Sequence, residues 1–112
     1  MAKVEIVGSL ARDIQKKFKG ESHKIINLLR SLEENPHKGK VLGNAGEFTI
    51  KELKYKNFRF YFILDRFNIN VLSKEELIDL LIKFVRMSDK KTQQKTINEI
   101  REILLKIGTD GF

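Results

Sequence analysis

The first third of the chain spaces its hydrophobic residues in a way that predicts one strand followed by two helices. Residues 3–7 (KVEIV) alternate polar and apolar side chains, which is typical of a short strand. Ser9 and Ser22 are expected to cap the two helices, since a serine hydroxyl can accept an unpaired backbone N–H. Asn35-Pro36 should end the second helix, because proline disfavours the helical region for the residue before it. The two apolar helical stripes are Leu10, Ala11, Ile14 and Phe18, and then Ile25, Ile26, Leu28, Leu29 and Leu32.

The middle of the chain changes to a period of two, which predicts a pair of antiparallel strands. Residues 37–46 contain three glycines and are expected to form a loop. Residues 47–55 and 58–65 (FRFYFILD) then alternate, and Lys56-Asn57 predicts the turn that joins them. Phenylalanine and leucine fall on one side of the second strand, so the pair should present a single apolar face.

The pattern over residues 67–86 allows two interpretations. Residues 67–72 continue a strand pattern, 73–76 predict a turn, and 77–85 alternate like a further strand. A helix over residues 74–86 is the alternative, because the apolar side chains there also fit a period of 3.6. The alternation favours the strand.

The last part of the chain predicts a long helix. Ser88 or Asp89 is placed to cap it, and Gly108 is placed to end it. Residues 109–112 (TDGF) are expected to fray. The apolar stripe of this helix consists of Ile97, Ile100, Ile103, Leu104 and Ile107.

In this order the elements predict a single domain of the α+β class over residues 1–112. An N-terminal strand and a helical hairpin should pack, with a C-terminal helix, on one face of a curved, mainly antiparallel sheet of about three to five strands. No stretch approaches the roughly 18 apolar residues of a membrane span, and the start of the chain does not resemble a signal peptide. We therefore expect a cytoplasmic protein without a membrane partner.

Composition narrows the possible chemistry. The chain has no cysteine, which excludes disulfides, zinc-thiolate sites and cysteine nucleophiles. His23 and His37 are too few for a histidine-based metal site, so we expect no metal and no cofactor. Lysine and arginine number 22 against 15 acidic residues, a net charge of +7. Such an excess favours a polyanionic partner, because binding releases counterions from phosphates.

Common catalytic signatures are absent, and what remains is a set of cations at strand ends. The chain has no G-x-x-x-x-G-K-S/T, G-x-S-x-G or H-E-x-x-H motif. Lys54 and Arg59 flank the predicted turn, so a tight hairpin should bring them together. Tyr61 should share the face of Arg59. A solvated surface cation is the ordinary alternative, but Arg59 interrupts an aromatic strand that is otherwise suited to burial.

Further cations follow the later predicted strand. Lys83 and Arg86 lie near its end, and Lys90 and Lys91 open the last helix. Cations in a first helical turn oppose the helix dipole slightly. Their position is weak evidence that a ligand, and not helix stability, accounts for them.

The motif order resembles the RelE/ParE superfamily of toxins from toxin–antitoxin pairs. In "LLRSLEENPHKGKVLGN" followed by "ELKYKNFRFYFIL", a helical hairpin ends in Asn35-Pro36, a glycine-containing loop follows, and a basic strand with Lys54 precedes an aromatic strand with Arg59. "LIKFVRMSDKK" resembles the HigB-like branch, although Arg86-Met87 stands where that branch commonly has paired lysines. Residues 3–105 follow the family's order of elements.

This resemblance implies a ribosome-dependent endoribonuclease that cleaves mRNA without metal or cofactor and is blocked by a cognate antitoxin protein. Carried over by position, Arg59 would bind the scissile phosphate, while Lys54 and Arg86 would neutralise developing charge. Tyr61 would stack on a base or donate a proton, and a lysine that has lost its proton would act as base. The expected RNA-binding residues are Lys51, Lys83, Lys90, Lys91 and Lys95. Two other functions stay open: a ParE-like toxin that poisons gyrase without enzymatic activity, and an inactive basic RNA-binding relative.

Overall fold

A computed structural model describes residues 2–65 and 80–112, and these form one five-stranded sheet with three helices. The sheet order is β1-β5-β4-β3-β2; β1 pairs parallel with β5 and every other pairing is antiparallel. The predicted α+β class, with its N-terminal strand, helical hairpin and C-terminal helix, is confirmed. The strands are β1 (Lys3–Ile6), β2 (Lys40–Ala45), β3 (Phe48–Tyr55), β4 (Phe58–Asp65) and β5 (Leu81–Asp89). The helices are α1 (Gly8–Phe18), α2 (Ser22–Arg30) and α3 (Gln93–Lys106), with 3₁₀ turns at Lys19–Glu21, Ser31–Glu33 and Thr109–Gly111.

Helices cover both faces of the sheet, so the prediction that they share one face is wrong. Phe18 of α1 lies with its ring 6.2 Å from that of Phe60 on β4. Tyr61, the next residue on β4, points to the opposite face, and its cross-strand partner Glu52 shares that face. Gln93 of α3 donates a hydrogen bond to the Glu52 carboxylate. The hairpin α1–α2 therefore packs on one face and α3 on the other.

The two helical layers explain why β4 is buried on both sides. Residues 59–64 are all buried. The Phe62 and Phe84 rings lie 4.8 Å apart in the part of the core between the sheet and helices α1 and α2. The expectation of a single apolar face for this strand is wrong. A strand covered on both faces carries large side chains at every position, which obscures the alternation.

Neither predicted serine cap of the helical hairpin is present. Helix α1 begins at Gly8 with Val7 as its N-cap residue, so Ser9 lies inside the first turn. Ser22 is the first residue of α2, and its hydroxyl donates to the carbonyl of Lys19. The tight 3₁₀ turn between the helices supplies that carbonyl, which a sequence pattern does not show.

The start of α3 also differs from its prediction. Ser88 belongs to β5, and Asp89 is the last residue of that strand. The Asp89 carboxylate accepts hydrogen bonds from the backbone N–H and the hydroxyl of Thr92, the residue before the helix. These two bonds order the turn into Gln93. The helix therefore begins later than expected: its N-cap residue is Thr92, three residues after Asp89.

The predicted loop over residues 37–46 contains strand β2, Lys40–Ala45. Its register with β3 shifts between Val41 and Gly43, so Lys40 and Gly43 face the same side. Gly43 has φ +155°, and a Cβ built there would lie 2.5 Å from a guanidinium nitrogen of Arg101. The glycines that predicted a loop here permit a bulged edge strand instead.

The strand prediction is confirmed where the structure describes it. Residues 81–85 lie in β5, which excludes a helix there, whereas the alternatives for 66–79 fall outside the described residues. The expectation of a frayed C-terminal segment is wrong. Thr109 accepts a 2.6 Å hydrogen bond from Lys83 Nζ, and the Phe112 ring lies 5.0 Å from the Arg86 guanidinium.

Candidate nucleic-acid interface

The β3–β4 hairpin places Lys54 directly opposite Arg59, as the sequence predicts. The connection is the two-residue turn Lys56-Asn57, and Lys56 adopts φ 53°. Cross-strand partners share a face, so both cations lie on the side of the sheet that carries α3. Lys54 is exposed and Arg59 is buried.

Arg59 is the most unusual residue of this face. It is 9% exposed, and its Nε is buried without a hydrogen-bond partner among the described residues. Glu52 Oε2 lies 4.0 Å from this Nε, which is too far for a hydrogen bond. Leaving a buried donor unpaired costs about 1–3 kcal/mol. An anion that accepted from this guanidinium would remove that cost.

Glu52 is a site residue that the sequence reasoning missed. It is 8% exposed, and its carboxylate accepts a 3.3 Å hydrogen bond from Gln93 Nε2 of α3. Strand periodicity could have found it, because Glu52 precedes Lys54 by two positions and therefore shares its face. Gln93 could not have been found this way, since only the tertiary fold brings α3 to the strand.

These side chains line an open groove of about 570 Å³ between α3 and the β2–β3 edge. Among the described residues, three lysines and one arginine line it against one carboxylate, so the groove is cationic. Lys38 and Lys40 belong to this set and were not singled out from the sequence. The lining residues are Lys38, Gly39, Lys40, Glu52, Leu53, Lys54, Arg59 and Gln93.

Tyr61 shares the face of Arg59, as predicted, but its ring is not open to the groove. Its side chain is fully buried, and its hydroxyl lies 2.7 Å from Ser88 Oγ. Burial raises the pKa of the phenol above its usual value, which keeps it neutral. In this structure the ring is therefore not accessible for stacking on a base.

Arg86 is held by protein partners away from the groove. Its Nε donates to Glu99 at 2.7 Å, and one terminal nitrogen donates to the carbonyl of Val85. A register shift in β5 places Arg86 on the same face of the sheet as Lys83. Without that shift the two side chains would point to opposite faces. Lys83 in turn donates to Thr109. The structure brings these two cations together, but with the C-terminal segment and not with Arg59.

Lys51 lies on the opposite face of the sheet from the groove. It is the cross-strand partner of Phe62, and its Nζ lies 5.6 Å from that ring. The ammonium donates to the carbonyl of His37 at 3.3 Å, and burial lowers its pKa. Lys51 and Arg59 therefore cannot contact the same phosphate.

The remaining predicted RNA-binding residues are solvent-exposed cations near the entrance to α3. Lys90 and Lys91 lie in the turn between β5 and α3, and Lys95 lies in the first turns of the helix. None of the three lines the groove. They add positive charge to the surface around the entrance to α3.

Within residues 2–65 and 80–112, no group of three histidine, aspartate or glutamate side chains is arranged to hold a metal ion. Within the same ranges, no helix has both the length and the apolar character needed to cross a bilayer.

Comparisons with models of protein families, with curated proteins and with solved structures found no match to this chain. The fold and the groove define its class: a small basic α+β protein whose sheet carries a cationic groove around a buried, incompletely paired arginine.

Proposed function

We propose that this protein is the toxin of a toxin–antitoxin pair and that it cleaves mRNA on the ribosome as a metal-independent endoribonuclease. The observation that carries the proposal is Arg59. Its guanidinium is buried on a sheet face, has no hydrogen-bond partner at Nε among the described residues, and lies beside Lys54 in an open groove. A phosphate is the ligand that best matches a planar fork of N–H donors next to a second cation.

The residues around the groove favour a polyanionic ligand. Lys38 and Lys40 extend the positive charge along the edge of β2, so neighbouring phosphates of one strand can be neutralised as well. The observed order of elements agrees with the order that the RelE/ParE resemblance implies. Its basic strand and its aromatic-arginine strand correspond to β3 and β4, which meet at the groove.

The reaction that fits these residues is attack by a ribose 2′-hydroxyl on the adjacent phosphate. The 2′-oxygen forms a bond to phosphorus, the bond to the 5′-oxygen breaks, and the products are a 2′,3′-cyclic phosphate and a 5′-hydroxyl. Arg59 would hold the phosphate and stabilise the charge of the transition state, together with Lys54. Glu52 would accept the 2′-hydroxyl proton, and the Lys54 ammonium would protonate the leaving oxygen.

This assignment changes the roles expected from the resemblance. Glu52, and not a deprotonated lysine, is the base of the proposed mechanism, because it is the one carboxylate among the described residues that line the groove. Tyr61 and Arg86 take structural roles instead, because their side chains form hydrogen bonds within the protein, to Ser88 and Glu99. The proposed antitoxin would silence the toxin by placing an acidic segment over Lys54 and Arg59.

The second candidate is an RNA-binding protein without nuclease activity. Two of the four side chains expected to be catalytic, Tyr61 and Arg86, are engaged by protein partners, and that observation favours it. Both candidates use the same groove, so only cleavage separates them.

The test uses purified protein and ribosomes that carry a defined mRNA, with cut sites mapped by primer extension. We expect cleavage by the wild type in the presence of EDTA, loss of about 100-fold or more in rate for Arg59→Ala and Glu52→Gln, and a smaller loss for Lys54→Ala. Lys24→Ala, an exposed lysine on the hairpin side, is the matched control and should cleave normally. Intact mRNA with salt-dependent RNA binding would establish the second candidate. Intact mRNA together with DNA breaks in the presence of gyrase would establish the ParE-like function.

A further inference from the structure

A second cavity lies at the other side of the β3–β4 hairpin end. It has a volume of about 370 Å³ and lies between α1 and the ends of β4 and β5. The proposed reaction uses none of the side chains that point into it. The lining residues are Asp13, Lys16, Lys17, Phe58, Met87, Ser88 and Asp89.

The floor of this hairpin-end pocket is aromatic and fixed in place. Phe58 is half-buried, and its ring packs against the Phe18 ring in a T-shaped arrangement, with the centroids 5.1 Å apart and the planes at 79°. Met87 is the cross-strand partner of Phe60 and lies next to Phe58 on the same face. A half-buried ring in a pocket lining is a surface on which a flat aromatic ligand can stack, once the Lys17 ammonium that lies over the ring moves to the side.

The rim carries both signs of charge. Lys17 Nζ lies 5.3 Å from the centre of the Phe58 ring, and Lys16 lies beside it on α1. Asp13 and Asp89 supply carboxylates on the same rim. One carboxylate oxygen of Asp89 already accepts hydrogen bonds from Thr92, whereas Asp13 is exposed on the helix surface. The pocket thus combines a stacking surface, two cations and two hydrogen-bond acceptors.

We infer that the hairpin-end pocket binds a guanine base of the RNA strand whose phosphate lies at Arg59, an inference that rests on the proposed function. Ionised carboxylates accept hydrogen bonds and cannot donate them. Guanine is the RNA base that presents two adjacent donors, N1–H and the 2-amino group, on its Watson–Crick edge. Adenine and cytosine pair their amino group with an acceptor, and uracil flanks its single N–H with two carbonyls. Asp13 therefore selects guanine, Phe58 stacks on it, and Lys16 and Lys17 neutralise its phosphate.

The position of the pocket relative to the groove supports a single RNA strand that visits both. Phe58 and Arg59 are consecutive residues of β4, so their side chains point to opposite faces of the same hairpin end. Only the turn at Lys56-Asn57 lies beyond them. A strand that bends around this turn places one phosphate at Arg59 and a nearby base over Phe58. Splayed single-stranded RNA is the form in which bases are read in this way.

Binding without cleavage isolates the base preference. The probes are 2′-O-methyl octa-adenylates labelled with fluorescein, which lack the attacking hydroxyl, with guanine placed at each position in turn. Hypoxanthine, which lacks the 2-amino group, is the control base. Fluorescence anisotropy should show that guanine at one position tightens wild-type binding about tenfold over the parent octa-adenylate, and hypoxanthine less.

The variants separate this pocket from the groove. Asp13→Asn should abolish the preference for guanine. Phe58→Leu should weaken binding of the guanine probe about tenfold while retaining an apolar side chain in the core. Asp110→Asn, an exposed carboxylate on the C-terminal turn, is the matched control. Arg59→Ala should weaken the binding of all probes by the same factor.

A wild type that binds every probe equally, with Arg59→Ala still weaker, would overturn the guanine pocket and leave the proposed function intact. A wild type that binds no probe would also overturn the guanine pocket, whereas the proposed function is overturned by mRNA that stays intact on ribosomes. Circular dichroism melts of each variant show whether the fold is retained, and Asp13→Asn, on an exposed helix position, keeps the test decisive if Phe58→Leu unfolds.

Discussion

Glu52 and Arg59 face the same groove from neighbouring strands, with Glu52 Oε2 4.0 Å from Arg59 Nε. The pair is close enough for electrostatic attraction but too far apart for a hydrogen bond, and no other described residue bonds to the buried Nε. Gln93 holds the carboxylate from the other side. A gap of this kind keeps the guanidinium available to an incoming phosphate, and it leads to several measurable consequences.

Arg59→Met should leave the fold about as stable as the wild type while strongly weakening RNA binding. Methionine fills a similar volume and removes the buried unpaired donor, which offsets the lost attraction to Glu52, so we expect the free energy of unfolding to change by less than about 1 kcal/mol. Urea unfolding followed by circular dichroism measures the change. A loss of more than about 1 kcal/mol would mean that Arg59 serves the fold and not a ligand.

Glu52→Gln should separate binding from cleavage. Removing the negative charge from the groove strengthens its attraction for phosphates, so the 2′-O-methyl octa-adenylate should bind several-fold more tightly. The cleavage rate on ribosomes should fall, because the amide cannot take the 2′-hydroxyl proton. Equal losses in affinity and rate would instead assign Glu52 a structural role.

Lys54→Ala should reduce the salt dependence of RNA binding. Each phosphate neutralised on a single strand contributes about 0.7 to the slope of log K against log salt, so the slope should fall by about that amount. Lys95→Ala, an exposed lysine outside the groove lining, is the control and should leave the slope nearly unchanged. The reverse pattern would move the interface to the entrance of α3.

Tyr61→Phe should affect stability more than cleavage. The variant leaves the Ser88 hydroxyl without its partner, at a cost of about 1 kcal/mol at neutral pH. Burial raises the pKa of Tyr61 above its ordinary value of 10.0, so the unfolded chain loses this proton first and wild-type stability falls as pH rises above 10. Tyr61→Phe lacks this loss, and the difference between the two proteins should shrink there. A cleavage rate reduced as strongly as by Arg59→Ala would restore a catalytic role.

Gly43→Ala should destabilise the protein by about 1–3 kcal/mol, since alanine at φ +155° is strained and its Cβ would meet Arg101. Gly20→Ala is the matched control, because nothing lies within 4 Å of the position and its backbone is ordinary. Thermal unfolding of both variants tests the claim. Comparable melting temperatures would show that β2 can shift to accept a side chain.

The parts of the site that depend on local pattern could be predicted from the sequence. Alternation and a two-residue turn suffice to pair Lys54 with Arg59, because strand geometry then leaves one register. Contacts made by distant segments could not be predicted. Gln93 reaches Glu52 from 41 residues away, and the partners of Arg86 come from α3 and the C-terminal turn.

The same distinction holds for the fold. The predicted helical hairpin and the β3–β4 hairpin are present, since each is encoded by residues close in sequence. The edge strand β2 was missed because Gly39, Gly43 and Gly46 suggest a loop, whereas pairing with β3 decides the outcome. The second helical layer was missed because apolar residues on both sides of β4 do not reveal which helix covers which face.

The chemistry of the cut ends tests the central claim most directly. Ribosomes carrying mRNA are incubated with the protein, and the fragments are analysed for their terminal groups, alongside an mRNA with a single 2′-deoxy residue at the mapped site. Attack by the 2′-hydroxyl in the Arg59 groove predicts a 2′,3′-cyclic phosphate, a 5′-hydroxyl and no cut at the deoxy position. Fragments with 3′-hydroxyl and 5′-phosphate ends, or cleavage of the deoxy substrate, would contradict it.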